Sequence, residues 1–221
     1  MSWESSVEYE RTINRAVRDR LGGTNSADLL VRSFNFADIE QLQMEGQWHE
    51  AGVVLADAAA GLEAAGCEAI VLCTNTMHNV ADHIIAAISV PFIHIADATA
   101  QAIQAAGVQR VGLVGTRYTM EQAFYRERLE TEYGLDVLVP DQAQRIIVND
   151  IIFDELVRGV VTEKSRAAYL AIIGELIDAG CQGIIAGCTE IEMLVTADMV
   201  DVPYFATARI HALAAAEFAL S

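Results

Sequence analysis

The chain has 221 residues, of which 53% are hydrophobic and 20% charged, enough apolar material for one large α/β domain or two smaller ones. Its formal net charge of −17 argues against nucleic acid and anionic membranes as partners, and no apolar run approaches the roughly 20 residues of a membrane span. The polar start "MSWESSVEYER" lacks the apolar stretch of a signal peptide, so we expect a cytoplasmic protein.

Short runs rich in Val, Ile and Leu alternate with Ala-rich segments of helical length along the chain. The predicted strands are residues 29–34, 69–73, 92–95, 110–115, 136–140, 183–187 and 204–206. The predicted helices include residues 49–65, 77–88 and 119–132, and residues 142–179 with a break near Gly159. Such alternation predicts an α/β fold whose parallel sheets are connected by right-handed crossovers.

The chain also contains an internal repeat. The stretch "EAAGCEAIVLCTN" at 63–75 aligns without a gap on "IDAGCQGIIAGCT" at 177–189. Downstream, "SVPFIHIADATA" at 89–100 aligns on "DVPYFATARIHA" at 201–212. The repeat predicts two pseudo-symmetric Rossmann-like units that face each other, with the active site in the cleft between them.

The two copies differ where they begin. The second copy starts with the apolar run "VGLVG", whereas the N-terminal "MSWESSVEY" resembles only the part that follows this run. We therefore expect the first unit to lack a strand beside residues 29–34 and 69–73 and to expose apolar surface there. The expected domains are residues 1–96 plus 207–221 and residues 97–206.

The gapless alignment pairs the residues that end the two central strands. Cys73 falls on Gly187, and Thr74 falls on Cys188. Because a one-residue shift along a strand reverses the direction of the side chain, Cys73 is predicted to point away from the side that Cys188 faces. A site built from these two cysteines is therefore disfavoured, and Thr74 takes the position that matches Cys188.

Thr74 and Cys188 both stand just beyond the carboxyl end of a predicted strand, where parallel α/β sheets bind their ligands. Each is followed by a predicted helix start, whose backbone amides would bind a carboxylate and would lower the pKa of a thiol. Two such positions on opposite sides of a ligand suit removal of a proton from one face of a carbon and its return to the other. The cysteine spacings do not match the common zinc patterns, and no metal site is predicted.

Each of these residues also has a structural interpretation. A cysteine at the end of a buried strand usually behaves as a small hydrophobe, which we favour for Cys67, Cys73 and Cys181. On spacing alone, Thr74 is better explained as a helix N-cap. His78 is interpreted as a surface or supporting group and His94 as a core histidine. Arg158 is a surface charge by default, although its place before the Gly159 break would also suit a carboxylate clamp.

The motifs "CTNTMH" at 73–78 and "GCTEI" at 187–191, with the opening "MSWES", resemble those of the aspartate/glutamate racemase family. That family comprises cofactor-independent amino-acid racemases with two pseudo-symmetric α/β domains and two catalytic cysteines. The resemblance places the first catalytic position on Thr74 and the second on Cys188, the same pair that the repeat selects. It is closest to a bacterial subgroup with a Thr/Cys pair and aspartate/glutamate or broad specificity.

The resemblance also implies a set of substrate-binding residues: Met1, Gln43, Asn75, Thr76, Thr116, Arg158, Thr189 and Glu190. The α-carboxylate and amine would be held by Asn75, Thr76 and Thr189. Arg158 aligns with the basic residue that serves the side-chain carboxylate. An arginine that many aspartate racemases carry has no counterpart within residues 36–46, where Gln41 or Gln43 stands instead, so the pattern does not require a strictly acidic substrate.

The sequence thus predicts a PLP-independent isomerase that uses no cofactor and racemises aspartate, glutamate or a broader set of amino acids. Its partner would be a small amino-acid substrate, with no nucleic acid and no membrane, and we expect a homodimer. Two alternatives stay open: a related carbon-acid enzyme such as a hydantoin racemase, and a two-domain amino-acid binding protein that lost activity with its first cysteine.

Overall fold

The computed structural model describes residues 2–221, apart from the side chain of Glu4. These residues form two compact units, one made of the chain up to Ile95 with His211–Ser221 and the other of Ala96–Ile210. Within the described residues, no helix combines the length and the apolar character needed to cross a membrane.

Strands and helices alternate along the chain, as the sequence predicts. The strands are β1 (Ile70–Val71), β2 (Phe92–Ile93), β3 (Arg110–Gly115), β4 (Asp136–Leu138), β5 (Gly183–Gly187) and β6 (Tyr204–Ala206). The helices are α1 (Trp3–Leu21), α2 (Phe36–Met44), α3 (Trp48–Ala64), α4 (Ala81–Ala87), α5 (Ile95–Ala105), α6 (Arg117–Glu121), α7 (Ala123–Tyr133), α8 (Gln142–Asp150), α9 (Glu163–Asp178), α10 (Ile191–Leu194) and α11 (Thr207–Ala219). The predictions of β3, β5 and β6 are confirmed over their full lengths, and β1, β2 and β4 are shorter than predicted.

The second unit is built on a four-stranded parallel sheet in the order β4-β3-β5-β6. β3 pairs with β5 from Val111 opposite Gly183 to Gly115 opposite Gly187. All residues of β5, and all of β3 after Arg110, are buried, which fits the continuous apolar runs of parallel strands that are covered on both faces.

The first unit has a much smaller sheet. β1 and β2 are parallel and share only two rungs, Ile70 with Phe92 and Val71 with Ile93. Most of the core of this unit therefore comes from the packing of helices against these strands, with fully buried side chains such as Met77 and Ile84.

The strand predicted at residues 29–34 is wrong, because this segment adopts no regular structure. Leu30 and Val31 remain 53% and 56% exposed. In chain order the segment follows α1 as β4 follows α7, and β4 pairs with β3 in the second unit. Among the described residues, the first unit has no counterpart of β3, so the segment has no neighbouring strand to pair with.

The first unit contains a groove of about 620 Å³ between residues 29–34 and the strand β1. One wall is formed by residues 26–34 and another by residues 65–73, and the α1 side chains Tyr9, Ile13 and Val17 also line it. The groove therefore lies where a counterpart of β3 would pair with β1.

The N-terminal cap of α1 matches that of α6, which extends the internal repeat to Ser2. Ser2 Oγ accepts a hydrogen bond from the Ser5 amide at 3.3 Å, and the two hydroxyl oxygens are 3.2 Å apart. Thr116, which follows β3 directly, caps α6 with the same two distances to Thr119. A strand that filled the groove would thus lead directly into Ser2, as β3 leads into Thr116.

We expect a variant in which the β3 sequence "RVGLVG" replaces Met1, so that its last glycine precedes Ser2 as Gly115 precedes Thr116, to be more stable than the 221-residue chain. The added strand would bury apolar side chains, each worth roughly 1.5–3 kcal/mol when fully buried, and would pair with the backbone of residues 70–73. A net gain of about 2 kcal/mol would raise the melting temperature by roughly 4–8 °C in a chain of this size. Calorimetry checks this against an extension of equal length made of Gly and Ser. Equal melting temperatures for the two extensions would contradict the assignment of the groove.

Candidate active site

A pair of glycines ends the two central strands of the second unit. Gly115 is the register partner of Gly187, and a Cβ atom on Gly187 would come within 3.2 Å of the Val114 carbonyl oxygen, closer than such contacts usually are. Because the two strands are parallel and in register, the next residues, Thr116 and Cys188, are neighbours at the carboxyl edge of the sheet. Cys188 thus follows β5 directly, and its role in a site stays a prediction.

Cys188 is held in place by the acidic residue of its own motif. Its Sγ donates a hydrogen bond to Glu190 Oε2 at 2.8 Å, and the Thr189 hydroxyl donates to the same oxygen at 2.6 Å. Burial raises the pKa of the Cys188 thiol well above its ordinary value, and the negative charge of Glu190 adds to this. Cys188 is therefore a neutral thiol at neutral pH, hydrogen-bonded to the Glu190 carboxylate.

The expected lowering of the Cys188 pKa by a helix N-terminus is wrong. The helix that follows, α10, has only four residues, so few peptide dipoles add up behind the thiol. Burial and the adjacent carboxylate act in the opposite direction and are the stronger influences.

Two tyrosines that no sequence motif singles out lie near this thiol. The pKa values of Tyr169 and Tyr204 are both raised, first by burial and in part by interaction with Cys188. Their hydroxyls donate to backbone carbonyls, at 3.0 Å to Val148 and at 3.1 Å to Val195. With their hydroxyls bound in this way, both phenols are suited to shaping the pocket of the thiol rather than to transferring protons.

In the first unit, Thr74 follows β1 and opens the turn into a 3₁₀ helix, Thr76–Val80. Its amide donates to the Leu72 carbonyl at 2.7 Å, and its own carbonyl lies 2.7 Å from His78 Nδ1. The N-cap interpretation of Thr74 is wrong, because the cap position is occupied by Asn75. The Thr74 side chain is thus not committed to capping this helix.

The prediction that Cys73 faces away from the site stays a prediction. Cys73 lines the groove of the first unit, and burial raises the pKa of its thiol to about 11. Such a thiol is almost entirely protonated at neutral pH. Cys67 packs against the core of the first unit and Cys181 is buried in the core of the second, in line with their interpretation as small hydrophobes.

The other predicted binding residues are spread over several elements. Asn75 and Thr76 are buried in the turn after Thr74, with 6% and 8% exposure. Gln43 is also buried, and its amide donates to the Met77 sulfur at 2.8 Å, which places it behind that turn. Met1 lies outside the described residues.

Arg158 ends an irregular helical segment. α8 passes through a π-helical turn at Ile151–Glu155 and then a 3₁₀ turn at Leu156–Arg158, which Gly159 ends with a φ of 71°. Arg158 is exposed, and no carboxylate of the described residues lies within 4.0 Å of its guanidinium. No sequence pattern predicts the π turn, although such turns are frequent at functional sites.

The two α/β units, each with polar residues at the carboxyl edge of a parallel sheet, define a class of two-unit α/β enzyme. The sequence model described as Asp/Glu/Hydantoin racemase matches residues 1–215. The chain belongs to this family, and it is an isomerase of the racemase type.

Solved structures agree with this placement. A proposed Asp/Glu racemase from Yersinia pestis is 52% identical with a TM-score of 0.95, covering 100% of this chain and 96% of that one. An aspartate racemase homologue from Pyrococcus horikoshii OT3 is 33% identical with a TM-score of 0.87, over the same shares of the two chains. An uncharacterized protein of Pectobacterium carotovorum subsp. carotovorum is 32% identical over 102 residues, which is 46% of this chain and 66% of that protein. The match thus spans just under two thirds of this last relative.

We expect the substitution Glu190→Gln to lower the pKa of Cys188. The carboxylate raises that pKa by its charge and by accepting the thiol proton, and a neutral amide removes the charge while keeping the size. More thiolate would then be present at any given pH. The rate of alkylation by iodoacetamide, followed by mass spectrometry of the Cys188 peptide, should reach its midpoint at a lower pH in the variant.

Cys73 serves as the internal control for this measurement, because its raised pKa arises from burial and its alkylation profile should not move. A Cys188 profile that stayed in place, or that moved to higher pH, would mean that Glu190 does not control the thiol.

Proposed function

We propose that the protein racemises free amino acids, with aspartate and glutamate among its substrates, by moving the α-proton without pyridoxal phosphate or a metal. The observation that carries this proposal is the Cys188 thiol at a strand end, hydrogen-bonded to Glu190 Oε2 at 2.8 Å. Together with membership of the racemase family, it supplies a proton-transfer group and an acceptor for the proton of that group.

The first step is formation of the thiolate. The Cys188 proton passes to Glu190 along the existing hydrogen bond, which leaves a thiolate and a neutral carboxylic acid. The thiolate then takes the α-proton of the L-amino acid, and the electron pair of the broken C–H bond delocalises into the substrate carboxylate. Backbone amides with Asn75, Thr76 and Thr189 would stabilise the negative charge that builds up on that carboxylate.

The second proton transfer inverts the carbon. Thr74 would relay a proton from solvent through its hydroxyl to the opposite face. Glu190 would then release to solvent the proton that it took from Cys188, which returns every group to its starting state. A hydroxyl is a much weaker acid than a thiol, so Thr74 is a poor base for the return direction. Because the equilibrium constant of a racemisation stays near one, this imbalance can appear only in rates and KM values.

Arg158 is proposed to bind the side-chain carboxylate of the substrate. An acidic amino acid brings an additional negative charge to a chain with a net charge of −17, so a local cation is needed to hold it. The exposed guanidinium, for which we find no ion-pair partner among the described residues, suits a two-pronged hydrogen bond to a carboxylate.

The function is tested by incubating the protein with a panel of L-amino acids in deuterated water, followed by NMR and chiral separation. We expect deuterium at the α-carbon of L-aspartate or L-glutamate, and a loss of about 10²–10⁴-fold in Cys188→Ala. Cys73→Ala is the matched control and should keep most of the activity. An inactive Cys73→Ala with an active Cys188→Ala would reverse the assignment. Binding of amino acids without any exchange in the wild type would indicate a binding protein instead.

A second variant, Thr74→Cys, tests the other side of the proposed reaction. The wild type should exchange the α-proton of an L-amino acid much faster than that of its D-enantiomer, because only the thiol is an effective base. A thiol at position 74 should raise the D-side rate and narrow this gap, with little change in side-chain size. Deuterium uptake is measured from each enantiomer separately. Equal wild-type rates from both enantiomers, or no gain on the D side in the variant, would remove Thr74 from the mechanism.

A further inference from the structure

The imidazole of His78 joins two backbone groups at the carboxyl edge of the first unit. His78 is only 3% exposed. Its Nδ1 lies 2.7 Å from the Thr74 carbonyl oxygen, and its Nε2 lies 3.2 Å from the Ile95 amide nitrogen. One side chain therefore connects the residue after β1 with the first residue of α5.

These two contacts determine the protonation of the ring. The Ile95 amide can only donate, so Nε2 must accept and carries no proton. The Thr74 carbonyl can only accept, so Nδ1 must carry the proton and donate it. His78 is therefore held as the neutral Nδ1–H tautomer, and each ring nitrogen is bonded to a backbone group.

The two hydrogen bonds of the His78 ring, here called the His78 bridge, lie just beyond the end of the backbone pairing between β1 and β2. The parallel pairing of β1 with β2 ends at Val71 and Ile93, three residues before Thr74. Beyond that point the imidazole connects the two chain segments by two hydrogen bonds. With its amide on the Leu72 carbonyl and its carbonyl on His78, Thr74 is fixed on both sides of its α-carbon.

The surroundings of the ring restrict its movement. The ring centroid of His94 lies 4.5 Å from that of His78, and those of Phe92 and His211 lie 5.5 and 5.8 Å away. His211 is itself fixed, because its Nε2 is 2.6 Å from the Ile93 carbonyl oxygen and its Nδ1 is 2.8 Å from the Tyr9 hydroxyl. Burial lowers the pKa of His211 to about 4, so this neighbour is also neutral at neutral pH.

The second unit makes an analogous bridge with a different residue. Thr207, which the repeat aligns with Ile95, donates its hydroxyl proton to the Ala186 carbonyl at 2.9 Å. That carbonyl lies one rung before the end of the β3–β5 pairing, which continues to Gly187. Cys188 is thus positioned mainly by a complete ladder, whereas Thr74 depends on a side chain.

We propose that His78 is a positioning residue that holds Thr74 in the orientation needed for proton transfer at the substrate α-carbon. The inference rests on the proposed function, in which Thr74 serves one face of that carbon. A displacement of about 1 Å at a reacting group can reduce the rate about 100-fold, so loss of the bridge should lower turnover far more than it weakens substrate binding.

The first test is made on the wild-type protein and needs no activity. Long-range ¹H–¹⁵N correlation spectra of the histidine rings report which ring nitrogen carries the proton. We expect His78 to show a protonated Nδ1 and an unprotonated Nε2 at neutral pH. An Nε2–H tautomer, or a rapidly exchanging ring, would overturn the inference, even if the protein proved inactive on every amino acid offered.

The second test compares His78→Leu with His78→Asn. Leucine removes both hydrogen bonds, whereas the asparagine amide can still donate from near the position of Nδ1. We expect His78→Leu to lower kcat about 100-fold with little change in KM, and His78→Asn to recover most of that loss. Tyr9→Phe is the control, because it removes a hydrogen bond of the same buried cluster without touching Thr74. The Tyr9→Phe substitution should lower the melting temperature and leave kcat unchanged.

A folded His78→Leu variant with wild-type kcat, or a His78→Asn variant no better than His78→Leu, would overturn the positioning role. An inactive wild type with the expected tautomer would reject the proposed function and leave the support of Thr74 established by the spectra.

Discussion

The register between β3 and β5 is the constraint on which the rest of the second-unit site depends. The two strands run together to a final rung of two glycines, so the chain leaves the sheet with Thr116 and Cys188 as neighbours. A slip of one residue would turn Cys188 to the opposite face of the sheet and replace it at the edge with Gly187 or Thr189.

The resting state of that thiol follows from a comparison of two electrostatic effects. A helix N-terminus stabilises a negative charge by about 0.3–1 kcal/mol, and a helix of four residues gives less than a long one. Two like unit charges 4 Å apart repel by about 4 kcal/mol at an effective dielectric constant near 20. The carboxylate of Glu190 therefore outweighs the dipole of α10, and burial acts in the same direction as the carboxylate. The thiol is therefore protonated at neutral pH.

Much of the fold could be predicted because buried parallel strands appear in the sequence as unbroken apolar runs. The strands β3, β5 and β6 match their predicted limits. The failures have tertiary causes. Residues 29–34 have the composition of a strand and no described partner beside them. No pattern in the sequence indicates the π turn at Ile151–Glu155. The interpretation of His78 as a surface group is wrong, because the side chain is buried. Its second partner, Ile95, is distant in sequence and is brought close only by the fold.

The two strand ends support different chemistry although the repeat makes them equivalent. In the proposed reaction the Glu190 carboxylate takes the Cys188 proton, so the second unit would generate its own base. His78 offers Thr74 no such help: both ring nitrogens are committed to backbone groups, and the contact is to the Thr74 carbonyl rather than to its hydroxyl. The imidazole therefore cannot act as the histidine of a serine triad does, by receiving the proton of a nearby hydroxyl. An alkoxide at position 74 would have no stabilising partner in this arrangement. The proposed reaction is thus driven from Cys188, and Thr74 contributes through the fixed position of a neutral hydroxyl.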